Sequence, residues 1–305
     1  MAELKNDFSW SSSRVETYLR CPRQYWFHYY GSWGGWDRSA DPRVRTLYVL
    51  KNLDTRQSWM GSTVHNCVRW VLDTLRTKGE APPEEQTLAL LGRRLNKDFT
   101  ESGEGLYWEN PKQHAGLLEH EYEERELADE QWQAVMSKAL ACVSTFYASE
   151  VFRQLQAVPA DAWLQLEDLA SFELDDIKVW VQLDCAYREG DGVVIYDWKT
   201  GKADQHATRE QLAGYILYAA QRWNVPVERV VAREFNLAHG TLHESRLDPD
   251  QLTAVRAAVA KSAAELKALH GAPEAKFPFT DVETRCARCN FTRLCPKFAG
   301  AADEG

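Results

Sequence analysis

Nothing in the 305-residue chain approaches the ~18 consecutive apolar residues that a membrane-spanning helix needs, so an integral helical membrane protein is excluded. The stretch from Met1 to Asp7 lacks a basic segment followed by an apolar one, and no secretory signal is expected. There is no excess of positive charge either: 36 Lys and Arg against 45 Asp and Glu leave a formal net charge of −9. Coating nucleic acid by bulk charge is therefore excluded, although a local basic groove is not. An even cysteine count is missing too. Seven thiols without an export signal argue against a disulfide framework. What is present, 44% hydrophobic and 27% charged residues, is ordinary for a folded protein. Length allows one large domain or two small ones. A cytoplasmic protein without membrane association is expected.

Charge is uneven along the chain. Residues 119–130 carry seven acids against Arg125 alone, which reads as an exposed acidic face. Residues 14–45 carry six Arg against Glu16, Asp37 and Asp41, and residues 276–297 carry Lys276, Arg285, Arg288, Arg293 and Lys297 against Asp281 and Glu283. Both ends are thus locally basic.

Ser11 to Ser13 supply caps for a short helix that Cys21-Pro22 ends. Gly61, Val64, His65, Val68, Leu72 and Leu75 recur at helical spacing, which predicts a helix over 56–77. Helices are also expected over 84–99, 128–155, 211–223 and 248–269. Strands are expected over 163–174, 177–187, 192–198 and 227–237, with turn signals at Asp175-Asp176 and Gly190-Asp191-Gly192. That order reads as an α/β layer arrangement. With neither an internal repeat nor a low-complexity linker, 1–305 reads as a single domain with a helical insertion at roughly 80–160.

Alternation on the strand ending at Lys199 puts Asp197 and Lys199 on one face. A hairpin with the preceding strand would bring Asp184 beside Asp197. Two carboxylates that close stay ionised only with a cation between them, and a hard divalent ion suits oxygen donors. An Asp–Lys surface pair is the competing reading of this motif. His65 lies on the apolar stripe of its helix, where an imidazole is ordinarily a satisfied core residue, and Gln211 with Tyr215, four apart, could be an ordinary polar helix pair.

In order, Gly61 to His65, Asp184, Asp197-Trp198-Lys199 and Gln211 to Tyr215 resemble the PD-(D/E)xK nucleases, specifically their RecB-type branch, from Ser11 to Pro296. The resemblance implies a restriction-endonuclease-like central mixed sheet flanked by helices. It also implies that His65, Asp184 and Asp197, with the Trp198 carbonyl, bind Mg²⁺ or Mn²⁺. Lys199 would then be the catalytic lysine, with Gln211 and Tyr215 positioning a DNA strand. A nitrogen donor beside oxygens tilts preference toward Mn²⁺. One departure is visible: Val181 stands where the family often has Gly.

Cys67, Cys142 and Cys185 read as buried small hydrophobes. Cys286, Cys289 and Cys295 lie within ten residues and read as a soft-metal site, with Cys21 the candidate fourth ligand. Spacing alone fits a four-Cys zinc site and an iron–sulfur cluster equally. One cysteine ahead of the nuclease core and three behind it resembles the iron–sulfur nucleases (AddB, the CRISPR-adaptation nucleases, exonuclease V), which implies a structural [4Fe-4S] cluster. Such a module would join about 9–36 to 276–298.

Residues 8–36 also hold ten aromatics, which read first as packing and second as base-stacking groups, with Trp33 and Trp36 foremost. The expected activity is a metal-dependent DNA nuclease acting on single strands or free ends, with a protein partner at the helical insertion. A non-catalytic DNA-binding or assembly subunit retaining the fold is the alternative.

Overall fold

Val193, Val194 and Ile195 follow one another in a segment buried on both faces, the pattern of a strand inside a sheet. In the computed structural model, which describes residues 4–122, 125, 127–201 and 205–298, that segment is the central strand of five. The strands are β1 (Trp163–Leu166), β2 (Leu169–Leu174), β3 (Ile177–Gln182), β4 (Cys185–Glu189), β5 (Gly192–Lys199), β6 (Val230–Asn236) and β7 (Thr241–Ser245). The sheet order is β1-β4-β5-β6-β7. Only the β5/β6 pair is parallel, so the sheet is mixed. A parallel pair needs a crossover, and the helix Gln205–Trp223 provides it.

The helices are α1 (Ser12–Arg20), α2 (Pro22–Trp26), α3 (Pro42–Lys51), α4 (Arg56–Lys78), α5 (Glu84–Gly103), α6 (Leu118–Glu121), α7 (Asp129–Ala148), α8 (Glu150–Gln156), α9 (Gln205–Trp223), α10 (Pro249–Ala268) and α11 (Glu283–Cys286). Among the described residues no helix is long and apolar enough to cross a membrane.

The chain divides into two compact units. The first comprises Met1–Arg56, Asp98–Glu126 and Ser262–Gly305, and the second Gln57–Lys97 and Leu127–Lys261. In the second, helices cover both faces of the sheet. Tyr215 on α9 reaches Asp197, whereas Phe146 on α7 meets the Trp198 ring from the other side, with ring centroids 5.6 Å apart.

In the first unit, both chain ends share a core built on Phe27, Leu47, Leu50, Leu53, Tyr107, Leu118, Tyr122 and Phe291. Polar ties reinforce it. Arg23 donates to the Phe277 carbonyl at 2.8 Å and pairs with Glu274 at 2.9 Å, and Arg285 donates to the Leu19 and Arg20 carbonyls.

Two expected strands are each broken in two. Residues 163–174 divide at Glu167, whose φ of 49° takes the backbone out of the β region, so β1 joins the main sheet and β2 a separate hairpin with β3. Residues 177–187 divide likewise between Gln182 and Cys185, which leaves Asp184 in a bend rather than within a strand. Residues 128–155 are interrupted at Ser149, whose hydroxyl caps α8 by accepting from the Phe152 amide.

The acidic face is also corrected at two positions. Glu119 is buried, its carboxylate accepting the Arg56 backbone N–H at the start of α4, and the Glu121 side chain is enclosed by Tyr107, Trp108 and Arg293. Glu123, Glu124 and Glu126 lie outside the described residues, as does Lys202 after the Asp197–Lys199 motif.

Candidate metal centre and cysteine pocket

Register carries the acids to one place. Cys185 pairs with Tyr196 across β4 and β5, so Asp184, one residue before β4, comes alongside Asp197, one residue after Tyr196. Its Oδ2 accepts the Trp198 backbone N–H at 2.6 Å. Trp198, expected to act through its carbonyl, thus contacts Asp184 through its amide. Asp184 Oδ1 lies 3.2 Å from His65 Nδ1, which α4 supplies from the edge of its apolar stripe. His65 is therefore no idle core imidazole.

A third donor was not visible in the sequence. Glu167, at the break between β1 and β2, sits 3.5 Å from His65 Nδ1 through Oε1, an ionic contact without hydrogen-bond geometry. Its backbone N–H donates to the Asp184 carbonyl at 3.1 Å, and its Oε2 accepts from Gln182 at 3.1 Å. One donor atom from each of His65, Glu167 and Asp184 lies within 4.8 Å of the others. No motif spacing marks Glu167, which the sequence reading places inside an unbroken strand over 163–174.

Asp197 stands beside this trio and not in it. Its Oδ2 faces Lys199 Nζ at 2.6 Å, an ion pair in which that oxygen receives no geometrically sound hydrogen bond. From Lys199 the chain continues: Nζ donates to Gln211 Oε1 at 2.9 Å, Gln211 Nε2 to the Tyr215 hydroxyl at 2.6 Å, and that hydroxyl to Asp197 Oδ1 at 3.3 Å. Lys199, Gln211, Tyr215 and Asp197 thus close a ring of polar contacts. Glu234, aligned with Asp197 across the parallel β5/β6 pair, is a further buried carboxylate, and its Oε2 has no hydrogen-bond partner.

The charges answer one another. Burial, joined by the neighbouring Asp197 and Glu167, raises the Asp184 carboxyl to about 6 although His65 pulls it down. Burial alone would discharge His65, but Asp184 and Glu167 outweigh it and hold the imidazolium well above its ordinary value. Lys199 behaves alike: burial opposes its charge, and Asp197 restores and exceeds it. Buried oxygens lacking full partners and an imidazole nitrogen make a donor set that suits a hard divalent cation.

A model of the PD-(D/E)XK nuclease superfamily matches residues 9–296. The chain belongs to that superfamily. Its members are phosphodiesterase nucleases that act on nucleic acid with a divalent metal, and the five-stranded mixed sheet with flanking helices is consistent with the superfamily fold. No curated protein matches the chain. Among solved structures, one titled "Crystal structure of SSO0001" is 17% identical over 55% of this chain and 77% of its own, with a TM-score of 0.30.

The sequence expects Cys67, Cys142 and Cys185 to be buried, and the structure buries two of the three. Cys142 and Cys185 are buried, and Cys67 is half-buried with its thiol pushed up to about 11 by burial. Cys21, Cys286, Cys289 and Cys295, 265 residues and more apart at the extremes, line one pocket of the first unit together with Arg23, Phe27 and Lys297. Cys289 is pushed up to about 12, by burial first and then by the other three thiols crowding it. The Phe291 N–H donates to its sulfur at 3.5 Å.

Proposed function

We propose that the protein is a RecB-type deoxyribonuclease that hydrolyses phosphodiesters in single-stranded DNA or at DNA ends, with a [4Fe-4S] cluster bracing the unit built from both chain ends. The observation that carries the reading is the meeting of two groups in one unit. His65, Asp184 and Glu167 present metal donors, and the Asp197–Lys199 pair is tied to Gln211 and Tyr215 alongside them.

His65, Asp184 and Asp197 would hold Mg²⁺ or Mn²⁺, with the Trp198 carbonyl and with Glu167 added. A bound ion supplies charge stabilisation at the phosphate and acidifies a water. The chain's own groups do the rest. Lys199, kept charged by Asp197 and aimed by Gln211, offers an ammonium to the charge that grows on the phosphoryl oxygens. Tyr215 holds both the Asp197 carboxylate and the Gln211 amide in register.

Four thiols in one pocket supply the donor set of a soft-metal centre. A single tetrahedral Zn²⁺ with Zn–S of about 2.3 Å would hold its sulfurs about 3.8 Å apart. Among the described residues no three thiols come within 4.8 Å of one another, so the cluster reading rests on the shared pocket and on the family resemblance, not on thiol spacing. The helical segments within 80–160 are read as the place where a protein partner attaches.

Because His65 must give up its proton to serve as a ligand, metal binding should release protons. The sign follows from the raised value. The protonated imidazole stabilises the fold at low pH, and that contribution is lost as pH rises through its folded pKa, where metal takes over the role. Metal affinity should therefore weaken as pH falls, about tenfold per unit for each proton displaced. Calorimetry in buffers of differing ionisation enthalpy reads the protons directly. Affinity independent of pH between 6 and 8 would remove His65 from the ligand set.

The activity itself is tested with Mg²⁺ or Mn²⁺ and three labelled DNAs: a linear single strand, a linear duplex and a closed circular single strand. The linear strand should be degraded and the circle spared. Failure to cut any of the three with either ion would refute a nuclease role.

A further inference from the structure

A second set of residues, all in the first unit, has a chemistry that the metal centre does not use. The turn after α2 carries Trp33 and Trp36, whose rings meet edge to face with centroids 5.0 Å apart. They remain 38% and 42% exposed, although most neighbouring aromatics are packed away. This turn is held. Gly34 takes a φ of +85°, and a Cβ on Gly35 would strike Tyr48 Cβ at 2.4 Å and the Val44 carbonyl at 2.6 Å. Only glycine lets the turn lie this close on α3, so the two indoles stand on a rigid base.

Cations stand beside Trp36 and Tyr48. Arg45 is anchored by the Gly35, Trp108 and Glu109 carbonyls and lies over the Tyr48 ring, which Lys51 also approaches at 5.4 Å. Burial first, and then Lys112 and Arg14, push Lys51 down to about 8. Trp36, Arg38, Arg45 and Tyr48 line one concavity with Glu109 and Asn110. Among the described residues no carboxylate pairs with Arg38, Arg45, Lys51 or Lys112, and Glu109 is the one acid on the lining.

Exposed π-faces beside unneutralised cations match a ligand that alternates flat rings with anionic groups. We propose that the Trp33–Trp36 turn and the cations around Tyr48 bind a segment of single-stranded nucleic acid, bases against the indoles and phosphates against Arg38, Lys51 and Lys112. A duplex hides its π-faces in the stack, so it fits less well. The ligand class rests on the nuclease reading, while the site is separate from the metal-binding residues.

The experiment measures binding of a labelled oligothymidylate by anisotropy in EDTA, where no cleavage can occur, alongside quenching of tryptophan fluorescence. Trp33→Ala with Trp36→Ala should weaken binding at least about fivefold and remove most of the quenching. Trp36→Phe, which keeps a π-face, should restore most of the affinity. Arg38→Glu with Lys112→Glu should weaken binding and flatten its salt dependence. An abasic strand of equal charge should bind the parent protein as weakly as the double Trp variant binds the normal strand.

Equal affinity of parent and double Trp variant, with melting temperatures matched, would overturn the proposal. So would an abasic strand that binds as well as the normal one. A surviving nuclease activity in Asp197→Ala would instead strike the proposed cleavage site and leave this result standing.

Discussion

Lys199→Met should lower cleavage of a labelled single strand by about 10²–10³-fold while metal affinity stays within a few-fold of the parent. The ammonium is three-quarters hidden, and its charge survives burial chiefly because Asp197 lies 2.6 Å away, with Asp184 and Glu234 adding to it. In such a setting a fixed positive charge stabilises developing negative charge far better than water would. Methionine keeps the length and the apolar contacts of the stem, so the loss reports charge and hydrogen bonding rather than packing. Gln211→Ala should cost less, about tenfold, since it removes the group that aims Nζ and leaves the charge in place. Asp197→Ala should abolish turnover by taking away a ligand and the partner of Lys199 together. Cleavage within threefold of the parent in Lys199→Met would deny the lysine any part in catalysis.

Cys289→Ser should bleach the purified protein, remove absorbance near about 400 nm and lower the melting temperature by about 10 °C or more. Burial pushes the Cys289 thiol up to about 12, and its sulfur accepts the Phe291 N–H, next to the ring that packs on Phe27. Losing that ligand would free the segment around Phe291 and, with it, the core shared by both chain ends. Limited proteolysis should then open the first unit ahead of the five-stranded sheet. Parent protein that carries one zinc ion and no such absorbance would assign the pocket to zinc instead.

Much of the frame is legible in the residues because its signals are local. Three- and four-residue spacing marks α4, α9 and α10, and an unbroken β-branched run marks β5. Paired aspartates mark the tight turn between β2 and β3, where Asp175 and Asp176 both adopt positive φ. The motif residues His65, Asp184, Asp197, Lys199, Gln211 and Tyr215 meet because strand register and helix spacing are themselves periodic. What escapes notice depends on distant partners. Glu119 looks solvated until the start of α4 is placed against it, and Glu167 looks like a strand residue until His65 arrives from a helix about a hundred residues earlier. The division into two units is hidden for the same reason: each is assembled from separated stretches of chain, with no compositional seam between them.

Glu167 holds a left-handed backbone conformation that favours glycine and disfavours every side chain with a Cβ. Glycine would relax the backbone there but would give up the His65 contact and the Gln182 hydrogen bond that the carboxylate makes. The glutamate is a strained choice for the backbone, and the proposed cation ligand would account for it. An engineer who relaxes the backbone at this position would blunt the tool.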